Sequence, residues 1–581
     1  MNNGVAMDPL ADLRTFLKVH GLSGFILPRE NRFRSAHLSP WEERLAWLTG
    51  FTGSAGLAIV LADRAALFVD GRYTLAASRQ IASTFEITEE KPEQWLARAL
   101  PISTPASVGF DPWQFTPTRL KCFQRASPHL AFKQIAENPV DVLWCNRPVP
   151  ESPAVFPIDL HCTGCSTQQK HRQILQHVQQ LGAQALFLAD PASVAWVLNV
   201  RTEAPYFPIP SAYALLQETE LTVFSNITYW PDVPHCVHHP LSGMQKVLDT
   251  AVADTLLLDL DETSCAVYTF LRNAKKQLIT APNPCKALKA IKNVVELEGF
   301  RDCHQRDAVA LIEFLAWLEQ TGPCGTIDEH SAAERLLEER ARDPSFRGPS
   351  FETISASGPN AAFVHYRVPS TGARFLQSGE GYLLDSGGHY ENGTTDCTRT
   401  IGLGPVADTH FKRIYTAVLK GLIAATTTIF PRGTPGAAID SIARQPLWQM
   451  GYDYDHGTGH GVGHYLSVHE DPPTLSKLSR TPLELGMVLS IEPGCYKPDV
   501  FGIRLENVVE VVPASENPGF LTFSPLTLVP FEPALIEQDC LTREEAKWLH
   551  WYHSNIWKTL YSRLSKKGQE WLNTRKTSCR F

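Results

Sequence analysis

The 581-residue sequence contains no run of about 18 or more apolar residues, so it offers no membrane-spanning helix. Its first stretch, MNNGVAMDPLADLRTFL, lacks the basic segment and apolar core of a secretory signal. Asp8-Pro9 reads instead as a helix N-cap followed by a first-turn proline. Positive charge is not in excess: 53 Lys and Arg stand against 61 Asp and Glu, a formal net charge of −8. That balance excludes a basic stripe and with it a nucleic-acid partner. No regular cysteine framework exists. The thirteen cysteines are odd in number and irregularly spaced, which predicts free thiols in a reducing cytoplasm. Cys162 and Cys165 make one CxxC, but no second pair completes a zinc site, so the spacing reads as incidental. No internal repeat of fixed period is present.

What is present is an ordinary globular composition, 43% hydrophobic and 20% charged, in a chain too long for one core. The first ~150 residues alternate apolar strands and helical stretches (GFILP, GLAIVLA, AALFVDG, YTLAASRQIA), an α/β pattern. RPVPESPAVFP, Arg147–Pro157, reads as a linker. A second α/β region follows, with the helix HRQILQHVQQLG and the strands ALFLA, AYALLQ and TLLLDL. From about Lys289 one long helical pattern runs through KAIKNVVELEGFRDCHQRDAVALIEFLAWLEQ. Near the C-terminus Thr542 and Glu545 form a capping box. Behind it Trp548, Leu549, Tyr552, Ile556 and Leu560 recur at helical spacing, as a stripe packed on its own domain or as a dimer contact.

Acidic residues embedded in apolar strands carry the chemistry. In GYLLDSGGHYENGTTDCTRTIGL, a hairpin, one strand ends in Asp385 and the other contains Asp396. A turn at Asn392-Gly393 would leave the two aspartates out of step, whereas a turn centred on Tyr390-Glu391 would set them opposite each other. The second register lets both reach one centre and is the expected one. Glu492 follows MVLSI, and Glu506 lies in GIRLENVVEVV, read as one plain strand in which Arg504 and Glu506 share a face. Four such carboxylates are costly to bury unless they are paired or bound to cations; any one alone reads as a strand-end residue or salt-bridge partner, but four beside a His-Gly cluster point to metal. Two divalent ions would balance four negative charges and could acidify a water between them. Oxygen-rich ligands favour an Mn²⁺-like ion over structural zinc.

The stretch DHGTGHGVGHYLSVHE holds His456, His460, His464 and His469, three of them four residues apart. That spacing suggests zinc ligands on a helix. Yet Gly457, Gly459, Gly461 and Gly463 alternate through it, each costing a helix ~1 kcal/mol relative to alanine. A tight extended passage is expected instead.

Taken together, LLDSGGHYENGTTDCTRT, HGTGHGVG with VHE, IEPG and GIRLENVV resemble the peptidase family of the pita-bread fold, specifically Xaa-Pro aminopeptidase. ERLAWLTGFTGSAG and ALFVDGRYTLAA are similar to that family's first domain, so the likeness runs over nearly the whole chain. It implies an α/β (α+β) architecture of the long three-domain form. Two N-terminal creatinase-like domains (1–152 and 153–290) would precede a pita-bread catalytic domain (291–535) and a helical extension (536–581). It implies metal ligands Asp385, Asp396, His460, Glu492 and Glu506, with Asp396 and Glu506 bridging two divalent ions, Mn²⁺ being the expected metal. By motif, His365 (in GPNAAFVHY), His456 and His469 would face the substrate, and Arg504 would orient the carboxylates. His464, Asp471 and Cys495 depart from the family pattern without removing a ligand. Cys495 is expected to be a small buried apolar residue.

The implied reaction is release of the N-terminal residue from peptides with proline second. A metal-bridging hydroxide would attack, histidines would stabilise the oxyanion, and Glu492 would move the proton. The peptide amine would sit beside Asp385. The resemblance also implies a homodimer, while the composition and charge read above imply a cytoplasmic enzyme without membrane or nucleic-acid partners. A prolidase acting on Xaa-Pro dipeptides shares the ligand set, and a non-catalytic pita-bread binding protein would be expected to have lost it.

Overall fold

The computed structural model describes residues 8–35, 37–102 and 106–578, so the start of the N-terminal stretch and Cys579 lie outside the described residues. The chain forms two compact units. One comprises 1–157, 167–202 and 209–285, and the other comprises 158–166, 203–208 and 286–581.

The first unit contains two six-stranded sheets with the same plan. In the first sheet Gly24–Pro28 pairs antiparallel with Leu57–Leu61 and parallel with Ser107–Phe110. In the second, Ala185–Leu188 pairs antiparallel with Tyr213–Leu216 and parallel with Thr255–Leu258. A parallel edge strand completes each end of both sheets. The central strands are buried along their whole length, hence their uninterrupted apolar runs. Asp8 caps the helix Pro9–Val19, accepting from Leu10 and Ala11 N–H, as the Asp-Pro pair predicts. The Pro-rich linker is shorter than expected, because its last residues, Val155–Pro157, pair with Val200–Thr202.

The second unit carries the residues of interest. A six-stranded sheet runs in the order Phe430–Pro431, Phe520–Pro525, Asn507–Pro513, Val488–Ile491, Gly459–Gly461, Glu470–Leu475. A three-stranded sheet pairs Gly381–Ser386 with Ile354–Ser357 on one side and Cys397–Gly402 on the other. The helices Val294–Thr321, Thr409–Thr427 and Gly436–Trp448 contribute to the core that these strands share.

The single long helix expected from Lys289 is two. Pro284–Ala290 ends, and Asn293 caps a new helix, Val294–Thr321, in a capping box with Glu296. The break arises because the intervening residues pair elsewhere: Lys292 N–H donates to Gly486 O, and Ile291 bridges Met487. Of the two readings of the C-terminal stripe, the internal one holds. Leu549, Tyr552, Ile556 and Leu560 of the helix Arg543–Leu560 are buried in the core of their own unit. The twelve described cysteines are all free thiols, including Cys162 and Cys165. No helix among the described residues is long and apolar enough to cross a membrane.

Candidate metal centre

The hairpin that carries the two aspartates adopts neither register weighed from sequence. His389 pairs with Thr394 and Tyr390 with Gly393, so the turn is Glu391-Asn392. Asp385 consequently faces Thr398, and Asp396 lies two residues away on the same face. The helix Val294–Thr321 explains the choice: Arg306 donates to Asn392 Oδ1 at 2.6 Å, and Asn392 donates to Asp302 at 3.0 Å, pinning the turn. A diagonal pair of this kind still aims both carboxylates at one region.

Glu506 occupies a break rather than a plain strand. Phe501–Arg504 pairs with Gly494–Lys497, and Asn507–Pro513 pairs with Val488–Ile491, leaving Leu505 and Glu506 between. The break lets one stretch of chain serve two sheets. Arg504 and Glu506 nevertheless meet on one side: Arg504 Nε donates to Thr398 Oγ1 at 3.3 Å, and that hydroxyl donates to Glu506 Oε2 at 2.9 Å.

Gly459–Gly461 is a short strand, not a helix. A Cβ on Gly459 would fall 1.9 Å from Ser490 O, so only glycine permits this approach of the backbones. The strand presents His460, whose Nδ1–H donates to Gly461 O at 2.9 Å. The Nε2 lone pair is thereby directed at Asp396 Oδ2 (3.4 Å) and Glu492 Oε1 (3.5 Å). These separations are longer than charge-assisted hydrogen bonds of ~2.7–2.9 Å. They suit atoms that would each approach a shared cation at ~2.1 Å. Ligand atoms of Asp396, His460 and Glu506 all lie within 4.8 Å of one another.

Two buried oxygens at this place, Asp385 Oδ1 and Glu506 Oε1, have no hydrogen-bond partner. Burial raises Asp396 and Glu506 well above the ordinary carboxylate range, and repulsion from neighbouring acids adds to it. Glu492, which accepts from Ser490 Oγ at 3.2 Å, is raised chiefly by burial too. Carboxylates so crowded, with a lone pair aimed among them, fit divalent cations.

Around these acids runs a chain of directed hydrogen bonds that the sequence motifs did not reveal. Arg504, buried and held charged by its neighbours, donates to Asp385 Oδ2 at 2.7 Å and to the Tyr496 hydroxyl at 2.7 Å. Tyr496 must then donate onward, to His456 Nε2 at 2.9 Å. The remaining His456 proton sits on Nδ1 and goes to Gly457 O at 2.8 Å. Every link has one polarity, which sets the His456 tautomer. Arg504 therefore grips Asp385 directly and reaches Glu506 only through Thr398. Alternation in GCYK puts Gly494 and Tyr496 on one face, but the pairing of Gly494 with Arg504 that brings Tyr496 beside the guanidinium is a tertiary fact.

The other histidines separate by burial. His469 is exposed, its ring 4.2 Å from that of His460. His365 is half-buried just beyond the turn Gly358–Ala362. His464 is buried, 5.6 Å edge-to-face from Phe300. Cys495 is buried in the main core and its thiol is pushed up to about 11 by that burial.

Residues 298–513 match the model of metallopeptidase family M24, and 519–578 match that of its C-terminal region. Creatinase/prolidase N-terminal domain models match 9–141 and 146–296. A probable Xaa-Pro aminopeptidase P of Laccaria bicolor is 36% identical over 97% of this chain and 92% of its own length. The chain belongs to metallopeptidase family M24. Its fold is the α/β architecture of this family, creatinase-like at the N-terminal end and pita-bread in the M24 region. Xaa-Pro aminopeptidase 2 of Sus scrofa is 36% identical, covering 96% of this chain and 86% of its own. Among solved structures, an X-prolyl aminopeptidase from Caenorhabditis elegans matches at a TM-score of 0.92 and 31% identity. The match spans 99% of this chain and all of that one, which is described as a cytosolic enzyme with a di-nuclear active site.

Proposed function

We propose that this M24 member is a metal-dependent Xaa-Pro aminopeptidase, a hydrolase that releases the first residue of peptides whose second residue is proline. The observation that carries the reading is the His460 lone pair aimed among Asp396, Glu492 and Glu506, with buried oxygens of Asp385 and Glu506 left unpaired beside it. Asp385, Asp396, His460, Glu492 and Glu506 would hold two divalent ions, Mn²⁺ by the preference of oxygen-rich sites. Asp396 and Glu506 would be shared between them. Such ions, when bound, acidify a water and polarise the scissile carbonyl.

The protein's own groups do the rest. Asp385 Oδ2 is committed to Arg504, so Oδ1 is the oxygen left to face the ion and the peptide's α-amine. Recognition of that amine limits cutting to the first bond. Glu492, which accepts from Ser490 Oγ at 3.2 Å, takes the proton from water and passes it to the departing proline nitrogen. His469, exposed beside His460, or His365 donates to the carbonyl oxygen as charge develops there. His456, locked by Tyr496, orients the proline side. The chain would divide at 1–152, 153–290, 291–535 and 536–581, and would act as a cytoplasmic homodimer.

The test compares purified protein on an Xaa-Pro dipeptide and an Xaa-Pro-Xaa tripeptide, with metal content measured in parallel. Release of the first residue from the tripeptide, with two metal equivalents, is expected. Activity confined to the dipeptide would make it a prolidase, and inactivity with no metal would make it a binding protein.

A further inference from the structure

The segment that carries His365 hangs from one buried carboxylate. Glu329 stands at the first position of the helix Glu329–Arg340 and is fully buried. Its Oε1 accepts the Ser357 N–H at 2.7 Å and the Ser357 hydroxyl at 2.8 Å. Asn360 Nδ2 donates to both oxygens, at 3.1 and 3.0 Å. The Tyr366 hydroxyl donates to Oε2 at 2.9 Å. Even the Glu329 carbonyl is used, accepting from Ser355 Oγ at 2.6 Å. These partners bracket His365 from both sides. A cation reaches the group through one hydroxyl: Arg374, paired with Glu380, donates to Ser357 Oγ at 2.8 Å.

The same segment reaches the rest of the site by packing. Tyr366 and Tyr496 both rest on a small cluster of Ile354, Ala356, Ala361 and Leu383. The strand Phe501–Arg504 passes so close that a Cβ on Gly502 would fall 1.7 Å from Ala361 O. A displaced segment would therefore shift the supports of Tyr496 and Arg504 as well as His365. Burying a carboxylate without a direct cation is unfavourable, and several donors converging on it fix a position that apolar packing would leave loose.

We propose that Glu329 is a positioning residue for hydrolysis, holding the Ser357–Tyr366 segment so that His365 and the Tyr496–His456 pair meet the substrate. The inference rests on the substrate-side roles given above to His365 and His456. Glu329→Gln keeps the shape but turns an NH₂ toward donors. It should lower kcat by about 10²-fold, the scale of a small misplacement, and move KM by less than about threefold. Metal content should stay at the wild-type level. Hydrogen exchange should accelerate across 354–366 and stay unchanged in Val488–Ile491. The double variant E329Q/H365A should lose less than the product of the two single losses, because Glu329 acts in part through His365 and in part through the Tyr496–His456 pair. Tyr366→Phe, which removes a single donor and keeps its ring, should repeat the pattern at about tenfold, and carries the test if E329Q fails to fold. Unchanged kcat, unchanged exchange over 354–366, or losses that multiply in the double variant would each overturn the inference. A wild-type protein inactive on the tripeptide would instead refute the functional reading, while the exchange measurement would still decide whether Glu329 holds the segment.

Discussion

Tyr496→Phe isolates the hydrogen-bond chain behind the metal centre. The substitution deletes one oxygen and leaves the ring, so no large cavity forms. What is lost is the acceptor for Arg504 Nη1 at 2.7 Å and the donor to His456 Nε2 at 2.9 Å. Arg504 is 2% exposed, so its freed N–H finds little water. A hydrogen bond to a charged group contributes about 1.5–3 kcal/mol, and an unpaired buried donor costs a similar amount, so stability should fall by about 2–3 kcal/mol. Asp385 keeps its own bond to Arg504, and all five proposed ligands remain, so metal loading should persist. His456 loses the partner that sets its tautomer and orientation. A loss of about 1.4–2.8 kcal/mol of transition-state stabilisation corresponds to 10- to 10²-fold in kcat/KM. Steady-state hydrolysis of an Xaa-Pro-Xaa peptide, paired with metal analysis and a urea melt, reads all three quantities. Wild-type kcat/KM with two ions bound would refute the reasoning. So would loss of the metals, because Tyr496 would then support the ligands rather than His456.

Other outcomes follow from the same geometry. Replacing Asp396 or Glu506 with alanine should abolish metal binding and hydrolysis together; either variant that kept both ions and full activity would contradict the bridging assignment. His464→Gln should stay within a few-fold of wild-type rate, since its ring packs on Phe300; a loss near 10²-fold in the peptide assay would count against that. Stability should decline in mild acid through His304 and His553, whose burial lowers both to about 4. Their folded pKa lies below the unfolded value of ~6.5, so the unfolded chain binds the proton first. Stability is therefore intact above pH ~6.5 and is lost by up to about 1.4 kcal/mol per pH unit per group down to about 4. Urea midpoints at pH 7.5 and 5.5 should differ, and His304→Leu should reduce the difference; an equal slope in that variant would contradict the assignment to His304.

The fold was legible where local chemistry dominates. Fully apolar runs marked the central strands, Asp8-Pro9 the first helix, and Thr542 with Glu545 the last long one. Long-range pairing defeated local reading. Ile291 and Lys292 look helical by pattern but pair with Met487 and Gly486. The hairpin turn obeyed Arg306 and Asp302 rather than its own glycines. GIRLENVVEVV reads as one strand because its alternation is continuous, yet its halves belong to different sheets.

Sequence alone determined which residues could matter. Acids are too expensive to bury in apolar strands without a purpose, and the glycines among the histidines rule out a helix whatever the rest of the chain does. Tertiary structure decided how those residues are arranged. The two-residue offset of Asp385 from Asp396, the aim of His460 Nε2, the Arg504–Tyr496–His456 chain and the suspension of the His365 segment from Glu329 all depend on contacts between distant segments. Local periodicity shows which face a side chain takes, but not what stands opposite it.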